Sequence, residues 1–284
     1  MKIFVAGSTG VIGRLLLPKL VQAGHEVTGM THNEERQPLI QALGARPVVV
    51  DAFDKEAILS VVGEARPDVI IHQLTSLSNW NLEDNSRIRI EGTRNLIDAA
   101  QAAGVERFIS QSIAWAYEPG DRPATEAVPL DIQAPLPRKS TIDGITALEG
   151  AVAEMPHHVI LRYGMFYGPE TWYDKKGVMA QRVRQQQVKA TDGITSFLHV
   201  EDAANAAVLA LDWPAGPVNI VDDEPASGKE WLAIYADALQ APAPEYQPGS
   251  NRGERGASNA KARNEYGWLP LYPTWRTGFT QSLK

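Results

Sequence analysis

Short apolar runs alternate with longer amphipathic segments along the chain as far as Tyr163. The apolar runs predict strands at Lys2–Ala6, Glu26–Thr31, Pro47–Val50, Val69–His72, Arg107–Ser110 and Val159–Tyr163. The segments between them repeat their apolar residues with a helical period and predict helices at Val11–Ala23, Glu34–Leu43, Lys55–Ala65, Leu82–Ala103 and Thr141–Glu154. Several strands are apolar almost throughout, which is typical of strands covered on both faces. This alternation predicts an α/β fold with a doubly wound parallel sheet.

The pattern changes after Gly164. Glycine, proline and tryptophan become frequent, and only Phe197–Val200 and Val218–Val221 still have the pattern of strands. Residues 241–257 have the composition of a loop. We therefore expect a dinucleotide-binding domain formed by residues 1–163 and 196–222. Residues 164–195 and 223–284 are expected to form a small C-terminal substrate lobe woven into it.

Two residue types predict local backbone features of the helices. Gly24, Gly44 and Gly104 each follow a predicted helix, where a left-handed capping residue is expected. Pro18 lies inside the first predicted helix, where it predicts a kink that costs up to ~3 kcal/mol.

Composition narrows the class of protein. Dividing 284 residues by about 150 per domain predicts one large domain or two intimate ones. The formal net charge is −7, which gives no support to a nucleic-acid-binding face. The chain has no cysteine, so disulfides, thiolate metal sites and cysteine nucleophiles are excluded. No apolar run is long enough to span a membrane, and we expect a cytoplasmic protein.

A glycine-rich turn joins the first strand to the first helix. Gly7, Gly10 and Gly13 permit a tight turn and a close approach of backbone to a pyrophosphate, which the N-terminus of the helix attracts. We therefore predict NAD(P) binding by Gly7, Thr9, Gly10, Val11, Ile12 and Gly13.

The end of the second strand bears on the choice of cofactor. An acidic residue there would bind a ribose 2′-hydroxyl, whereas a cation would accept the 2′-phosphate of NADP. His32 and Arg36 are the available cations, so NADP is favoured and NAD is the alternative. Asp51 is placed to reach the adenine amino group, or is only a turn residue. The predicted cofactor site also includes Ala52, Gln73, Leu74 and Tyr163.

With these motifs the sequence resembles the extended short-chain dehydrogenase/reductase group, also called the NAD-dependent epimerase/dehydratase family. The resemblance covers nearly the whole chain and rests on the glycine turn and on residues 68–72, 91–96, 107–112, 161–169, 197–204 and 258–270. It implies a Rossmann fold, an NAD(P) cofactor and hydride chemistry. It also puts Ser112 at the position of the family's catalytic serine.

The sequence departs from this family at the catalytic helix. Members use a Tyr-x-x-x-Lys pair, in which the lysine lowers the pKa of a tyrosine that acts as the acid or base. No tyrosine lies between Glu118 and Arg162. With Glu149 set on the family's usual glutamate, Thr141 and Ile145 occupy the tyrosine and lysine positions. The predicted catalytic residues are therefore Ser112, Thr141 and Tyr163, with Tyr117 and Tyr167 as other possible acids.

Further departures concern the substrate. Nucleotide-sugar members commonly carry Arg-Asp where this chain has Thr195 and Ser196. Other arginines are candidates to replace that diphosphate ligand: Arg182, Arg184, Arg252 and Arg255. Arg89 stands where the family usually has asparagine, and either binds an anionic substrate or forms a salt bridge on a helix face.

Other polar and aromatic residues have simpler interpretations. Ser140 is expected to be a helix N-cap. The histidine spacing does not predict a metal site, and Asp222-Asp223-Glu224 is predicted to be a solvated turn. The aromatic residues Trp80, Trp115, Trp172 and Tyr173 either line an apolar pocket or pack the lobe.

These expectations leave three functions open. The first is an oxidoreductase that acts on a small carbonyl or alcohol substrate with a non-standard active site. The second is a nucleotide-sugar epimerase or dehydratase, and the third is a regulator that senses NADP without catalysis. Relatives dimerise through the helices that correspond to residues 82–103 and 141–154, so a homodimer is also expected.

Overall fold

A computed structural model describes residues 1–76 and 82–283. Its strands are β1 (Lys2–Ala6), β2 (Glu26–Thr31), β3 (Arg46–Val49), β4 (Val69–His72), β5 (Arg107–Ile113), β6 (His157–Tyr163), β7 (Met165–Tyr167), β8 (Ile194–Thr195), β9 (Phe197–His199), β10 (Gly216–Ile220) and β11 (Ala226–Ser227). Its helices are α1 (Val11–Gln22), α2 (Gln37–Ala42), α3 (Lys55–Ala65), α4 (Leu82–Arg87), α5 (Thr93–Ala102), α6 (Arg138–Val152), α7 (Val178–Arg184), α8 (Val200–Leu209), α9 (Gly228–Ala238), α10 (Ala260–Asn264) and α11 (Trp275–Ser282).

A seven-stranded sheet in the order β10-β6-β5-β4-β1-β2-β3 forms the centre of the fold. β1 pairs in parallel with both β2 and β4, and the chain winds outward to β3 before it returns to β4. The carboxyl ends of β1 and β4 are therefore the point where the strand order reverses, the usual ligand site of such sheets. The predicted α/β, doubly wound parallel fold is confirmed.

The chain divides into two compact units of interleaved segments. The first contains Met1–Ser112, Ile132–Leu161 and Ala204–Pro217, and the second contains Ile113–Asp131, Arg162–Ala203 and Val218–Lys284. The first unit packs helices α3, α5 and α6 around Phe4, Ile70 and Phe108. The division into a dinucleotide-binding domain and a substrate lobe, with the boundaries expected from sequence, stays a prediction.

Most predicted elements lie within a few residues of the observed ones, because their patterns are local. The bounds of β1, β2, β4 and α3 are as predicted. Gly24, Gly44 and Gly104 have φ values of +83°, +86° and +71°, as expected of left-handed caps. Helix α1 continues through Pro18 to Gln22.

Two predicted helices differ from the observed ones. The segment 34–43 is a 3₁₀ turn, Glu34–Arg36, followed by α2. The segment 82–103 is interrupted by a π-helical turn, Ile88–Gly92.

Ser140 is not an N-cap. Helix α6 begins at Arg138 with Pro137 as its N-cap, so Ser140 lies in the first turn. Proline suits such a start because it has no N–H to satisfy and its φ is already near the helical value.

Aromatic side chains form the core of the second unit. Tyr173 is 4% exposed and its ring lies 5.5 Å from Phe197 and 5.8 Å from Trp231. Trp172 packs at the edge of the same cluster. Tyr173 therefore packs the lobe, while Trp80 lies outside the described residues.

Two buried aspartates attach the C-terminal segment to this core. Asp202 accepts N–H hydrogen bonds from Leu271 and Tyr272 at 2.7 and 3.0 Å. Asp222 is 1% exposed and accepts the N–H of Trp275 at 2.9 Å, at the start of α11. The predicted solvated turn at 222–224 is therefore wrong for Asp222, because α11 covers it. Burial raises the pKa of Asp222 to about 8, and the negative charges of Asp223 and Glu224 add to the rise.

We expect the stability of the protein to fall with rising pH because of Asp222. The unfolded carboxyl releases its proton near pH 4, whereas the folded one keeps it until about pH 8, so the stabilisation present at acid pH is lost across this window. A single such group changes the unfolding free energy by up to about 1.4 kcal/mol per pH unit. Urea unfolding between pH 5 and pH 9 measures this slope. Asp222→Asn should make the unfolding free energy less dependent on pH, and the exposed control Asp237→Asn should not. Equal slopes in the wild-type protein and both variants would show that Asp222 does not cause the pH dependence.

Candidate active site

The glycine turn is held against the end of β4 by backbone alone. Gly7 has φ +91°, and a Cβ built on it would lie 2.7 Å from the carbonyl carbon of Gln73. A Cβ on Gly13 would lie 2.3 Å from the Gly7 carbonyl oxygen. The Ser8 hydroxyl donates to the Met30 carbonyl at 2.7 Å and ties the turn to β2. Glycine is therefore required at positions 7 and 13 for the turn itself.

Gly10 is different, because it is exposed and a side chain there would meet a single atom. A Cβ built on it would meet only the Gly7 carbonyl oxygen, at 3.3 Å. Gly10 is the N-cap of α1, which has no side-chain cap and no acidic residue in its first turn. Uncapped N–H groups and an open approach over Gly10 fit the pyrophosphate of a dinucleotide. Among the other predicted contacts, Thr9 and Val11 are partly exposed, and Ile12 is buried.

Cations gather where β2 ends. His32 and Arg36 are exposed there, and the Asn33 side chain accepts the Glu35 N–H at 2.9 Å to start the 3₁₀ turn. Arg14 of α1 also belongs to this group. Burial first, and then the positive charge of Arg36, lower the pKa of Arg14, so the two guanidinium groups lie near each other. Sequence reasoning missed Arg14, although it directly follows the third glycine of the turn.

The other predicted cofactor residues lie at the carboxyl ends of β3 and β4. Asp51 is exposed and accepts the Phe53 N–H at 3.0 Å, as a turn residue does. Ala52 is buried, and its carbonyl accepts from the Asn95 amide at 2.9 Å. The Leu74 carbonyl accepts from the Gln111 amide at 2.6 Å. These positions stay predictions for cofactor contact.

Ser112 is paired with a carboxylate. Its hydroxyl donates to Glu149 Oε1 at 2.6 Å, and the two residues are 2% and 8% exposed. A serine hydroxyl has one proton, so in this arrangement Ser112 offers a ligand a lone pair rather than a donor. Sequence reasoning named both residues but did not predict this contact.

Helix α6 carries no acid–base pair at the two aligned positions. Thr141 is partly buried, and Ile145 is fully buried in the core. Lys139, the lysine nearest to Thr141 in the sequence, is exposed and forms an ion pair with Asp143 at 2.7 Å. Its ammonium is therefore engaged one turn along the same helix.

The three candidate tyrosines are all buried in the second unit. The Tyr163 hydroxyl donates to the Ala203 carbonyl at 3.4 Å. The Tyr117 hydroxyl donates to Asn219 and accepts from Arg162. Tyr167 lies among aromatic rings, and burial raises its pKa far above the usual value. The catalytic role predicted for Tyr163 stays a prediction.

Three of the arginines considered for a diphosphate already have partners. Arg252 makes two bonds to buried Asp131, at 2.8 and 2.6 Å. Arg255 donates to the carbonyls of Arg122 and Glu118 at 2.8 and 2.9 Å. Arg184 donates to a carbonyl at 2.9 Å.

Among the residues that the structure describes, no three His, Asp or Glu side chains are grouped so that they could hold a metal ion. Within the same part of the chain, every helix is too short or too polar to cross a bilayer.

The fold and the glycine turn together define a dinucleotide-binding protein. The model of the NAD dependent epimerase/dehydratase family matches residues 3–221, and the chain belongs to this family.

The proteins that are similar to this chain include reductases and an epimerase. The chain is 40% identical to a "3-diazoavenalumate denitrifying reductase" of a Streptomyces species, over 98% of this chain and 99% of that protein. It is 29% identical to a "2-alkyl-3-oxoalkanoate reductase" of Stenotrophomonas maltophilia, over 75% of this chain and 66% of the other. The Thermus thermophilus UDP-glucose 4-epimerase in complex with NAD superposes with a TM-score of 0.75 at 27% identity, over 99% and 97% of the two chains. The protein is an NAD(P)-binding enzyme of the oxidoreductase type.

Alanine at two glycines should separate cofactor binding from folding. Gly10 has φ −73° and ψ 174°, which alanine adopts readily, and the new Cβ would need the Gly7 carbonyl oxygen, 3.3 Å away, to move by only a few tenths of an ångström. Gly10→Ala should therefore change the unfolding free energy by about 1 kcal/mol or less. Its new methyl group would occupy the approach to the helix N-terminus and weaken NADPH binding by roughly tenfold or more. Gly13→Ala should instead lower the unfolding free energy by about 1–3 kcal/mol, because the added methyl group overpacks the turn. Urea unfolding and NADPH fluorescence titration measure both quantities. If Gly10→Ala bound NADPH as tightly as the wild-type protein, the predicted pyrophosphate site at the N-terminus of α1 would be contradicted.

Proposed function

We propose that the protein is an NADP-dependent reductase that transfers hydride to a small electrophilic substrate without a tyrosine–lysine proton relay. The supporting observation is its identity of 40%, over nearly the full length of both chains, with a reductase named for a denitrifying reaction on a diazo compound. The composition of α6 agrees, since the aligned positions are Thr141 and buried Ile145.

A diazo group suits this site because of its proton balance. When bound, the reduced nicotinamide supplies a hydride. An aryl diazonium ion that gains a hydride at its ring carbon and loses N₂ becomes the neutral arene, so the step needs no proton donor. Carbonyl reduction differs, because the oxygen must gain a proton and a tuned acid normally supplies it.

The roles of Ser112 and Thr141 follow from this reaction. Because the Ser112 hydroxyl donates its hydrogen bond to Glu149, its oxygen presents a lone pair to the substrate. The neighbouring carboxylate makes this environment favourable for a cationic electrophile. Thr141 is a weak hydrogen-bond donor that positions the substrate. Tyr163 supports the cofactor and takes no part in proton transfer.

NADP is the proposed cofactor because of the charges at the end of β2. Arg36 and Arg14 form a cationic pair, and His32 lies beside it in sequence. Two guanidinium groups placed together repel each other, and a 2′-phosphate removes that repulsion with charge-assisted hydrogen bonds.

We expect NADPH to bind the protein more tightly than NADH by about tenfold or more, since charge-assisted hydrogen bonds contribute roughly 1.5–3 kcal/mol. Arg36→Ala should remove most of this difference by weakening NADPH binding alone. Calorimetric titration with both cofactors tests the expectation, with exposed Arg46→Ala as the control. Equal affinities for NADPH and NADH in the wild-type protein would overturn the NADP assignment.

Carbonyl reduction is the second candidate. It is favoured by the similarity to the 2-alkyl-3-oxoalkanoate reductase.

A nucleotide-sugar reaction is less well supported. Three candidate diphosphate ligands are held by protein partners, and Ser196, at one of the Arg-Asp positions, accepts the Ala257 N–H at 2.9 Å.

The proposed activity can be measured with a diazotised aminocinnamate and NADPH. We expect NADPH oxidation, N₂ release and cinnamate carrying one deuterium when the cofactor is labelled at C4. The rate should change little from about pH 6 to pH 8, since no tyrosine has to titrate. The same mixture without protein serves as the control for uncatalysed reduction. A rate no higher than this control would reject the diazo reaction, and turnover of a 3-oxoalkanoate instead would establish the second candidate.

Two further expectations remain part of the proposal. The helical segments 82–103 and 141–154, joined by the ion pair between Arg94 and Glu154, are the proposed contact of a homodimer. The proposed location is the cytoplasm.

A further inference from the structure

Arg89 is a buried cation on the π-helical turn Ile88–Gly92. The residue is 6% exposed. A π-helical turn changes the direction of side chains relative to a regular helix, and such turns are frequent at functional sites. In the sequence, Arg89 was expected either to bind an anion or to form a salt bridge on a helix face. Its burial excludes the exposed helix-face position.

Among the side chains that the structure describes, those of residues 1–76 and 84–283, no carboxylate pairs with Arg89. The same side chains give Arg89 no hydrogen bond or ion pair, and burial alone lowers its pKa, to about 10. The guanidinium therefore keeps its charge at neutral pH. A buried charge without a partner is costly, and proteins normally compensate it with an opposite charge. The other arginines discussed above differ, since Arg252 meets Asp131 and Arg94 meets Asp98.

The position of Arg89 relates it to α6. A Cβ built on Gly144 would lie 3.5 Å from the Arg89 Cδ, an ordinary van der Waals distance, so the arginine stem lies against α6 at Gly144. Thr141 and Ile145 are one turn from each other on the helix and flank Gly144. Arg89 therefore lies against the part of α6 where relatives carry their proton relay.

Two acids of α6 have partners other than Arg89. Asp143 is exposed and pairs with Lys139, and Glu149 accepts from Ser112. The cofactor's own anions have separate candidate positions, the pyrophosphate at Gly10 and the 2′-phosphate at Arg14 and Arg36. The charge of Arg89 is thus left for another anion.

We propose that Arg89 binds the carboxylate of the substrate and so selects small unsaturated or aromatic acids. A guanidinium presents two parallel N–H groups to a carboxylate, which fixes the orientation of the acid as well as its position. This inference rests on the proposed reductase function, because the anchored acid would present its electrophilic group at the same site. The relative that is 40% identical is named for an acid anion, which agrees with this ligand class.

Binding of a non-reacting probe tests Arg89 without turnover. Cinnamate and its neutral analogue cinnamamide would be titrated into the protein saturated with NADP⁺, by calorimetry. We expect wild-type protein to bind cinnamate and to bind cinnamamide at least tenfold more weakly. Arg89→Met should weaken cinnamate binding by roughly 10- to 100-fold and leave cinnamamide binding unchanged. Arg89→Lys keeps the positive charge and should lose less cinnamate affinity than Arg89→Met.

The controls separate this inference from the proposed function. Arg94→Met removes an arginine that already has carboxylate partners and should bind cinnamate as wild type does. NADPH affinity measured for Arg89→Met should equal that of wild type; a loss would assign Arg89 to the cofactor and overturn the proposal. Equal cinnamate affinity in wild type and Arg89→Met, or no binding of cinnamate by wild type, would also overturn it.

If Arg89→Met fails to fold, Arg89→Gln takes its place. A wild-type cinnamate affinity in Arg89→Gln would reject the proposal, and a loss of affinity equal to that expected for Arg89→Met would support it. A protein that binds cinnamate through Arg89 but reduces no substrate would reject the reductase function and keep the anion site.

Discussion

The site depends on a close backbone contact between the glycine turn and the end of β4. Neither Gly7 nor Gly13 has room for a single additional carbon, since the nearest backbone atoms lie 2.7 and 2.3 Å from where it would be. This contact holds the N-terminus of α1 over the edge where the strand order reverses. The open side of Gly10 is left facing outward as a result. We therefore propose that the backbone of the turn recognises the cofactor and that side chains at the strand ends select among dinucleotides.

Charge pairing distinguishes the structural arginines from those proposed to be functional. Arg252 is held by Asp131, and the surface arginine Arg94 is held by Asp98 and Glu154. Arg14 instead lies near another cation, and Arg89 is buried without a counter-charge in the described chain. In the proposed function, Arg14 and Arg36 bind a phosphate of the cofactor and Arg89 binds an acidic substrate. The paired arginines of the second unit are a weaker match to a nucleotide diphosphate.

Helix α6 shows how the family scaffold is adapted. The family resemblance implies a tyrosine and a lysine on this helix, whereas here Ile145 contributes to the core and Gly144 lies beside Arg89. Glu149 remains and holds the Ser112 hydroxyl. The helix has a packing role and one polar contact, and in the proposed function it carries no proton relay. The proposed hydride transfer to a diazo carbon is a reaction that this set of residues suits, because nitrogen departs and no proton is required.

Much of the fold was predictable from sequence, because strand and helix periodicity, the glycine turn and the helix caps depend on residues close together in the chain. The cofactor turn and the absence of the Tyr-x-x-x-Lys pair were visible for the same reason. The sequence could not show that Arg14 lies near Arg36, that Ser112 donates to Glu149, or that Asp222 is covered by α11. Each of these contacts joins distant segments, and the state of a polar group depends on whether water or another segment surrounds it. Arg89 is the clearest case, since only tertiary packing decided between a solvated ion pair and a buried charge.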